Sequence, residues 1–278
     1  MSGRFRWWRA LTVARTDLRQ LAQARDFWLP MTMLGALFYV VVPSILLLTI
    51  TNIGSVEVVG RVSEALEVLP RQAQAQIRGD SPEGQTGYAL AVFLFAPVAV
   101  IVPLTISTAV GAATIVGERE RGTGEFLAHS PASAHEIYLG KLIASLVPGY
   151  LTVGVGFGLY SLIVNITVGP SVGGWFFPTA QWWVMILWVL PPFLAICLSL
   201  VLRLSARVSS TAAAQQASGL VSLPLIMIAY SQATGVLLGA GHLPWIVGLV
   251  AWLVAGLSLR KGMRSVTRSR LLGVASAS

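Results

Sequence analysis

Four stretches of this chain carry no Asp, Glu, Lys or Arg: residues 29–56, 84–117, 142–202 and 208–259. A helix crossing a bilayer needs about 20 consecutive apolar residues. In hydrocarbon every backbone N–H and C=O must be satisfied within the protein, which restricts lipid-exposed spanning segments to helices or closed barrels. The first two tracts hold one such helix each, and the last two are long enough for two apiece. Breakers divide the long tracts at Gly169-Pro170-Ser171-Val172-Gly173-Gly174 and at Gly239-Ala240-Gly241-His242-Leu243-Pro244. The pattern therefore predicts six spans, at about 29–53, 89–116, 139–167, 179–202, 208–235 and 244–261. With 11% charged residues against roughly 25% in a soluble domain, and a mean hydropathy of +0.74, the composition agrees. The expected fold class is an all-α polytopic membrane protein.

An even number of spans puts both termini on one side, and the basic residues choose it. Arg4, Arg6, Arg9, Arg15, Arg19 and Arg25 precede the first span; Arg260, Lys261, Arg264, Arg268 and Arg270 follow the last. With Arg119, Arg121, Lys141, Arg203 and Arg207, one face holds 16 of the 19 basic residues, leaving Arg61, Arg71 and Arg78 for the other. The positive-inside rule then makes both termini cytoplasmic, in a multi-pass protein of the cell membrane. The net charge of +8 is accounted for by orientation and by anionic lipid headgroups, without nucleic acid.

Residues 1–28 have no apolar core of a signal peptide. Trp7, Leu11, Ala14, Leu18 and Leu21 recur at helical spacing with Arg9, Thr16, Arg19, Gln20 and Gln23 largely opposite, which predicts an amphipathic interfacial helix turning into the first span near Trp28-Leu29-Pro30. The 29–261 membrane domain carries one sizeable outer loop, 54–87, where Val62, Leu66, Leu69, Ala73 and Ile77 allow short amphipathic helices broken at Pro70. Residues 117–138 form a cytoplasmic segment and 262–278 a basic tail.

Several chemistries are disfavoured. Glu136 is the last carboxylate residue, and no carboxylate or histidine falls clearly inside a span, as a proton- or ion-coupled secondary carrier or channel would favour. The Gly140-Lys141 pair is followed by Leu142, without the glycine spacing of a phosphate-binding loop. Gly169-Pro170-Ser171-Val172-Gly173 has the spelling of a nucleophile elbow, with His242 and Glu57, Glu64 or Glu67 on the same face, but between two spans it reads as a turn. A membrane serine hydrolase using Ser171 is the weaker alternative. His129 and His135 lie six apart across Pro131, the wrong spacing for a helical metal pair, and the lone Cys197 precludes an intrachain disulfide. No catalytic or metal residue is assigned.

Pro43, Pro97, Pro103, Pro148, Pro191, Pro192 and Pro224 predict kinks within spans. Gly149, Gly154, Gly156 and Gly158, like the small residues opening the fifth span, make faces suited either to close helix packing or to a moving surface. Among the uncharged polar residues of the spans, Tyr150, Asn165, Gln215 and Gln216 are carried forward as candidates for a substrate path.

The most ordered charged segment is Gly117-Glu118-Arg119-Glu120-Arg121-Gly122-Thr123-Gly124-Glu125-Phe126-Leu127-Ala128-His129-Ser130-Pro131. A short helix at 123–128, stopped by Ser130-Pro131, would present Phe126 and Leu127 beside charges, a pattern suited to a groove on another protein. Glu118-Arg119-Glu120-Arg121-Gly122-Thr123 with Glu125, Leu127, Ser130-Pro131, Glu136-Ile137 and Gly140-Lys141, placed between spans two and three, resembles the permease subunits of type-2 ATP-binding-cassette (ABC-2) exporters. The N-terminal helix, the six spans and the length extend the likeness over the whole chain. The resemblance implies a permease homodimer or heterodimer working with two ABC ATPase subunits, which would bind ATP and Mg, while this chain binds no cofactor. It also implies that Glu118, Arg119, Glu120, Arg121, Thr123, Glu125, Phe126 and Leu127 couple the spans to the ATPase. Gly124 stands where the family usually has a large apolar residue. Because glycine costs about 1 kcal/mol inside a helix, the coupling helix is expected to be shorter or to start later.

Overall fold

The computed structural model describes residues 5–53, 60, 64, 67, 69–120, 130–205, 216, 226, 230, 231 and 241–265. Within them the regular structure is helical, and five helices are long and apolar enough to cross a membrane. Helix α1 is Trp7–Gln23. The five long helices are α2 (Arg25–Thr51), α3 (Pro82–Ile115), α4 (Ala134–Thr167), α5 (Ala180–Ser205) and α6 (Leu243–Met263). The predicted fifth span, 208–235, lies almost entirely outside the described residues, as do most of the tail and, in the outer loop, residues 54–59 and most of 61–68.

Two boundaries move, each for a local reason. The chain breaks at Ala24, whose ψ of 93 is extended, and α2 begins at Arg25; the expected turn at Trp28-Leu29-Pro30 is instead helical, with Pro30 inside α2. Helix α3 begins at Pro82, ahead of residue 89, because Ser81 caps it by accepting from the Gly84 N–H and Pro82 occupies the first turn, where a missing N–H costs nothing. At its far end the helix continues to Glu120.

Helices α3 and α4 are the centre of the bundle, α3 the most enclosed and α6 the least. Glycines set the closest approaches: a Cβ at Gly149 would strike Ser107 and come within 2.7 Å of the Pro103 carbonyl of α3, and one at Gly156 would enter the Tyr39 ring of α2. Gly154 and Gly158 have nothing within 4 Å, so only half of the predicted small-residue face is a packing face. Leu69 and Ala73 are buried in the same core as Tyr160 and Trp182, with Ile77 packed on it, which places that part of the outer loop in the mouth of the bundle.

The predicted kinks take a particular form. Three π-helical turns, Leu37–Val41, Leu90–Leu94 and Met185–Val189, each end two or three residues ahead of a proline: Pro43, Pro97 and Pro191. One extra residue per turn shifts the hydrogen-bond register where proline removes a donor. Pro103 and Pro148 sit inside continuous α-helix.

Candidate functional site at the root of the charged segment

The start of α4 is built by its own first turn. Ser133 accepts from the Glu136 N–H while the Glu136 carboxylate accepts from the Ser133 N–H at 2.7 Å, a reciprocal capping box that satisfies two otherwise orphaned donors. The same carboxylate reaches outside the helix. It accepts from the Arg6 N–H at 2.8 Å, just ahead of α1, and lies 3.9 Å from the Arg9 guanidinium. Arg9 also donates to the Pro131 carbonyl at 2.7 Å. A residue in the loop between α3 and α4 is thereby tied to α1.

One turn further, α1 and α4 meet at backbone distance. Gly140 allows it: a Cβ there would sit 2.7 Å from both the Ala10 carbonyl and the Val13 Cβ. Beside it Lys141 is fully enclosed, with its Nζ donating to the Thr114 carbonyl of α3 at 2.6 Å and lying 3.5 Å from Asp17 Oδ2 of α1. One ammonium therefore bridges α1, α3 and α4. Burying such a charge is tolerable only when it is paired and hydrogen-bonded. Tyr138 turns the other way, donating to Ser199 of α5 at 2.8 Å, and Ser199 donates to the Ser258 carbonyl of α6.

All these groups lie at one end. At 34 residues, α4 is about 51 Å long at 1.5 Å per residue, against a hydrocarbon core of about 30 Å. The helix is therefore long enough to carry Glu136 and Lys141, in its first turns, outside the hydrocarbon core.

Sequence reasoning took Lys141 as an orienting charge and as half of the Gly140-Lys141 pair, gave it no structural partner, and did not single out Asp17. The signal was there. Ala10, Val13, Ala14 and Asp17 follow the i, i+3, i+4, i+7 rule and form the buried face of α1. Trp7, Trp8 and Leu11 are exposed, at 61%, 57% and 53%. Helix α1 therefore has two apolar faces about a third of a turn apart, one covered by α4 and one exposed.

Of the predicted coupling residues, Glu118, Arg119 and Glu120 continue the α3 helix; Arg121, Thr123, Glu125, Phe126 and Leu127 lie outside the described residues. Of the path candidates, Gln215 is also outside, and Gln216 is exposed. The structure does not bring Tyr150 and Asn165 together. The Tyr150 hydroxyl donates to the Ile186 carbonyl of α5 at 3.2 Å. Asn165 clamps the loop after α4: its carbonyl oxygen accepts from the Phe176 and Phe177 N–H groups, and its amide donates to the Phe177 carbonyl at 2.6 Å. Neither lines the cavity of about 330 Å³ between α2 and α4, whose walls include Gly35, Val40, Leu151, Val155 and Gly156. Ser171 sits in the turn Gly169–Val172, packed against Gly84, and among the described residues no hydrogen bond joins it to His242.

A bundle of apolar helices, with its charged connection bolted at the root, is the architecture expected of a transport subunit, and the sequence relation agrees. Residues 11–269 match the family described as ABC-2 family transporter protein. The chain belongs to that family. The match runs from α1 through α6, so this ABC-2 permease is a multi-pass membrane protein and a component of membrane transport. Comparison with curated proteins finds no match.

Proposed function

We propose that this ABC-2 permease is the membrane-spanning subunit of an ATP-driven exporter. Two copies, identical or paired with a homologue, would work with two ABC ATPase subunits that bind ATP and Mg. Both termini and the 117–138 segment would be cytoplasmic, with six spans and the outer loop 54–87 on the other side. Glu118, Arg119, Glu120, Arg121, Thr123, Glu125, Phe126 and Leu127 would contact the ATPase. Its closure would pull on that segment and rock the spans between states of unequal substrate affinity. The apolar spans suit an amphipathic, lipid-like or drug-like cargo.

The observation that carries this reading is the joint at the root of the segment. Thr114 of α3 lies just before the coupling residues 118–127 and Pro131, Ser133 and Glu136 just after them, and all four are hydrogen-bonded to Lys141, Arg6 or Arg9 or to one another. A pull on the segment would therefore reach α1, α3 and α4 together. The test is Glu125→Ala and Phe126→Ala in the reconstituted complex. Truncating one charged partner across a desolvated interface costs about 2–5 kcal/mol, whereas an exposed pair on one helix contributes about 0.3–0.5 kcal/mol. The variants should insert and dimerise normally while losing ATPase association or stimulation. Unchanged association and transport in both would remove the segment from the coupling path.

A further inference from the structure

The three proline-associated π turns share one register. Val42 and Leu190, each directly before a proline, bond five residues back, to Leu37 and Met185, and Phe95, two residues before Pro97, bonds five back to Leu90. Pro43 follows Val42, Pro191 follows Leu190, and Pro97 lies two residues after Phe95. In that register each proline would have bonded the carbonyl of Phe38, Val92 or Ile186, and proline has no hydrogen to give. In water such an acceptor would be solvated; inside a membrane bundle it needs a donor from elsewhere.

Two of the three have one, and both donors are aromatic side chains of another helix. The Trp182 indole N–H donates to the Val92 carbonyl at 3.0 Å, and the Tyr150 hydroxyl donates to the Ile186 carbonyl at 3.2 Å. Beside Val92, Tyr160 donates to the Ala91 carbonyl at 2.7 Å. The donors are well placed: Trp182 is 1% exposed and lies against Phe157, Tyr160 and Phe177. Among the described residues no side chain donates to the Phe38 carbonyl.

We infer that Tyr150 and Trp182 are positioning residues that latch two proline hinges, holding α5 at 186–191 and α3 at 92–97 in one bend each. A π turn ahead of a proline is the place where a helix changes angle with the fewest bonds broken. A side-chain donor from a neighbouring helix fixes that angle relative to the neighbour, and a single hydrogen-bond exchange releases it. Helix α2 has the same register at Pro43 and, among the described residues, no such donor. This property belongs to the permease itself and does not depend on the ATPase reading.

The test uses the full chain, purified and placed in lipid nanodiscs, with spin labels on α5 at Trp183 and Leu200, either side of the hinge. Seventeen residues of helix separate them by about 25 Å, within reach of pulsed electron resonance. Tyr150→Phe removes only the hydroxyl. It should shift or broaden the distance distribution, and Pro191→Ala in the same chain should narrow it again, because the alanine supplies the missing N–H donor and makes the Tyr150 hydroxyl redundant. If Pro191→Ala does not assemble, Trp182→Phe with Pro97→Ala and labels at Gln85 and Thr105 repeats the test on α3. A distribution unchanged by Tyr150→Phe or Trp182→Phe overturns the inference, and so does a broadening that restoring the backbone N–H leaves in place. A packing role alone would give that second pattern, since the alanine returns a donor and not a contact.

Discussion

Lys141 is the residue whose loss should cost this protein most. Lys141→Met keeps the length and the apolar stem but removes the charge, leaving a methyl group against the Thr114 carbonyl and against Asp17, which is 7% exposed. Removing one partner of a buried ion pair costs about 3–5 kcal/mol, because the other is left without its counter-charge, while replacing both by apolar groups is often neutral or stabilising by about 1–4 kcal/mol. The single variant should therefore lose a large share of a stability that is typically about 5–15 kcal/mol, and Asp17→Leu with Lys141→Met should regain most of it. Denaturant titration of the purified chain in detergent measures both. The reasoning fails if Lys141→Met unfolds within about 1 kcal/mol of wild type, the size of an ordinary hydrogen bond, or if the double variant is no more stable than the single one. The first result would mean that Lys141 is not closed in; the second would mean that Asp17 is not its counter-charge.

Gly140→Ala should destabilise by about 1–3 kcal/mol, since its Cβ has no room beside Ala10 and Val13; Gly154→Ala, with open space around it, should instead gain up to about 1 kcal/mol from helix propensity, both read by the same titration. Asn165→Ala strands the Phe176 and Phe177 amides at about 1–3 kcal/mol per buried group, and should expose the 174–179 loop to thermolysin without altering insertion. If the basic residues orient the chain, Ser276→Cys should be shielded from an impermeant thiol reagent in intact cells and Ser81→Cys labelled; the reverse pattern would invert every side assigned to a loop.

The membrane helices were legible because their cause is one-dimensional: an uncharged run of sufficient length has to cross lipid. Helix ends were less legible because caps decide them, as Ser81-Pro82 does for α3 and the reciprocal Ser133 and Glu136 pair does for α4. Of the prolines expected to kink spans, Pro43, Pro97 and Pro191 stand just after π turns while Pro103 and Pro148 sit in continuous α-helix, a difference that lies in the register of the backbone and not in composition. The joint was the hardest to read. Trp7 and Leu11 dominate the apolar periodicity of α1 because they are large, yet they are the residues left open; small Ala10 and Ala14 mark the covered face because a close approach needs small side chains. Asp17 and Lys141 are 124 residues apart in the sequence, and only the close approach at Gly140 makes one answer the other.

That joint bears on how α4 can move. Glu136 and Gly140 share one side of the helix, where they meet α1 or the residue before it; Tyr138 and Lys141 point elsewhere, Tyr138 to α5 and Lys141 to both α1 and α3. Further along, Leu151, Val155, Leu159, Leu162 and Ile166 form an exposed stripe with the helical spacing of a lipid-facing side. Helix α4 is thus held by three other helices at its root and exposed along one side of its shaft, and it has no π turn at Pro148. A force entering between α3 and α4 cannot tilt α4 alone; it carries α1 and the root of α3 with it. The described helices depart from regular α-helix at Leu37–Val41, Thr49–Ile53, Leu90–Leu94 and Met185–Val189, and these are the turns at which a change of angle would break the fewest bonds. If the spans rock as proposed, the joint at the root of α4 is the part that would move as one body and the three turns ahead of Pro43, Pro97 and Pro191 the parts that would absorb the change of angle, and the two occupy different residues.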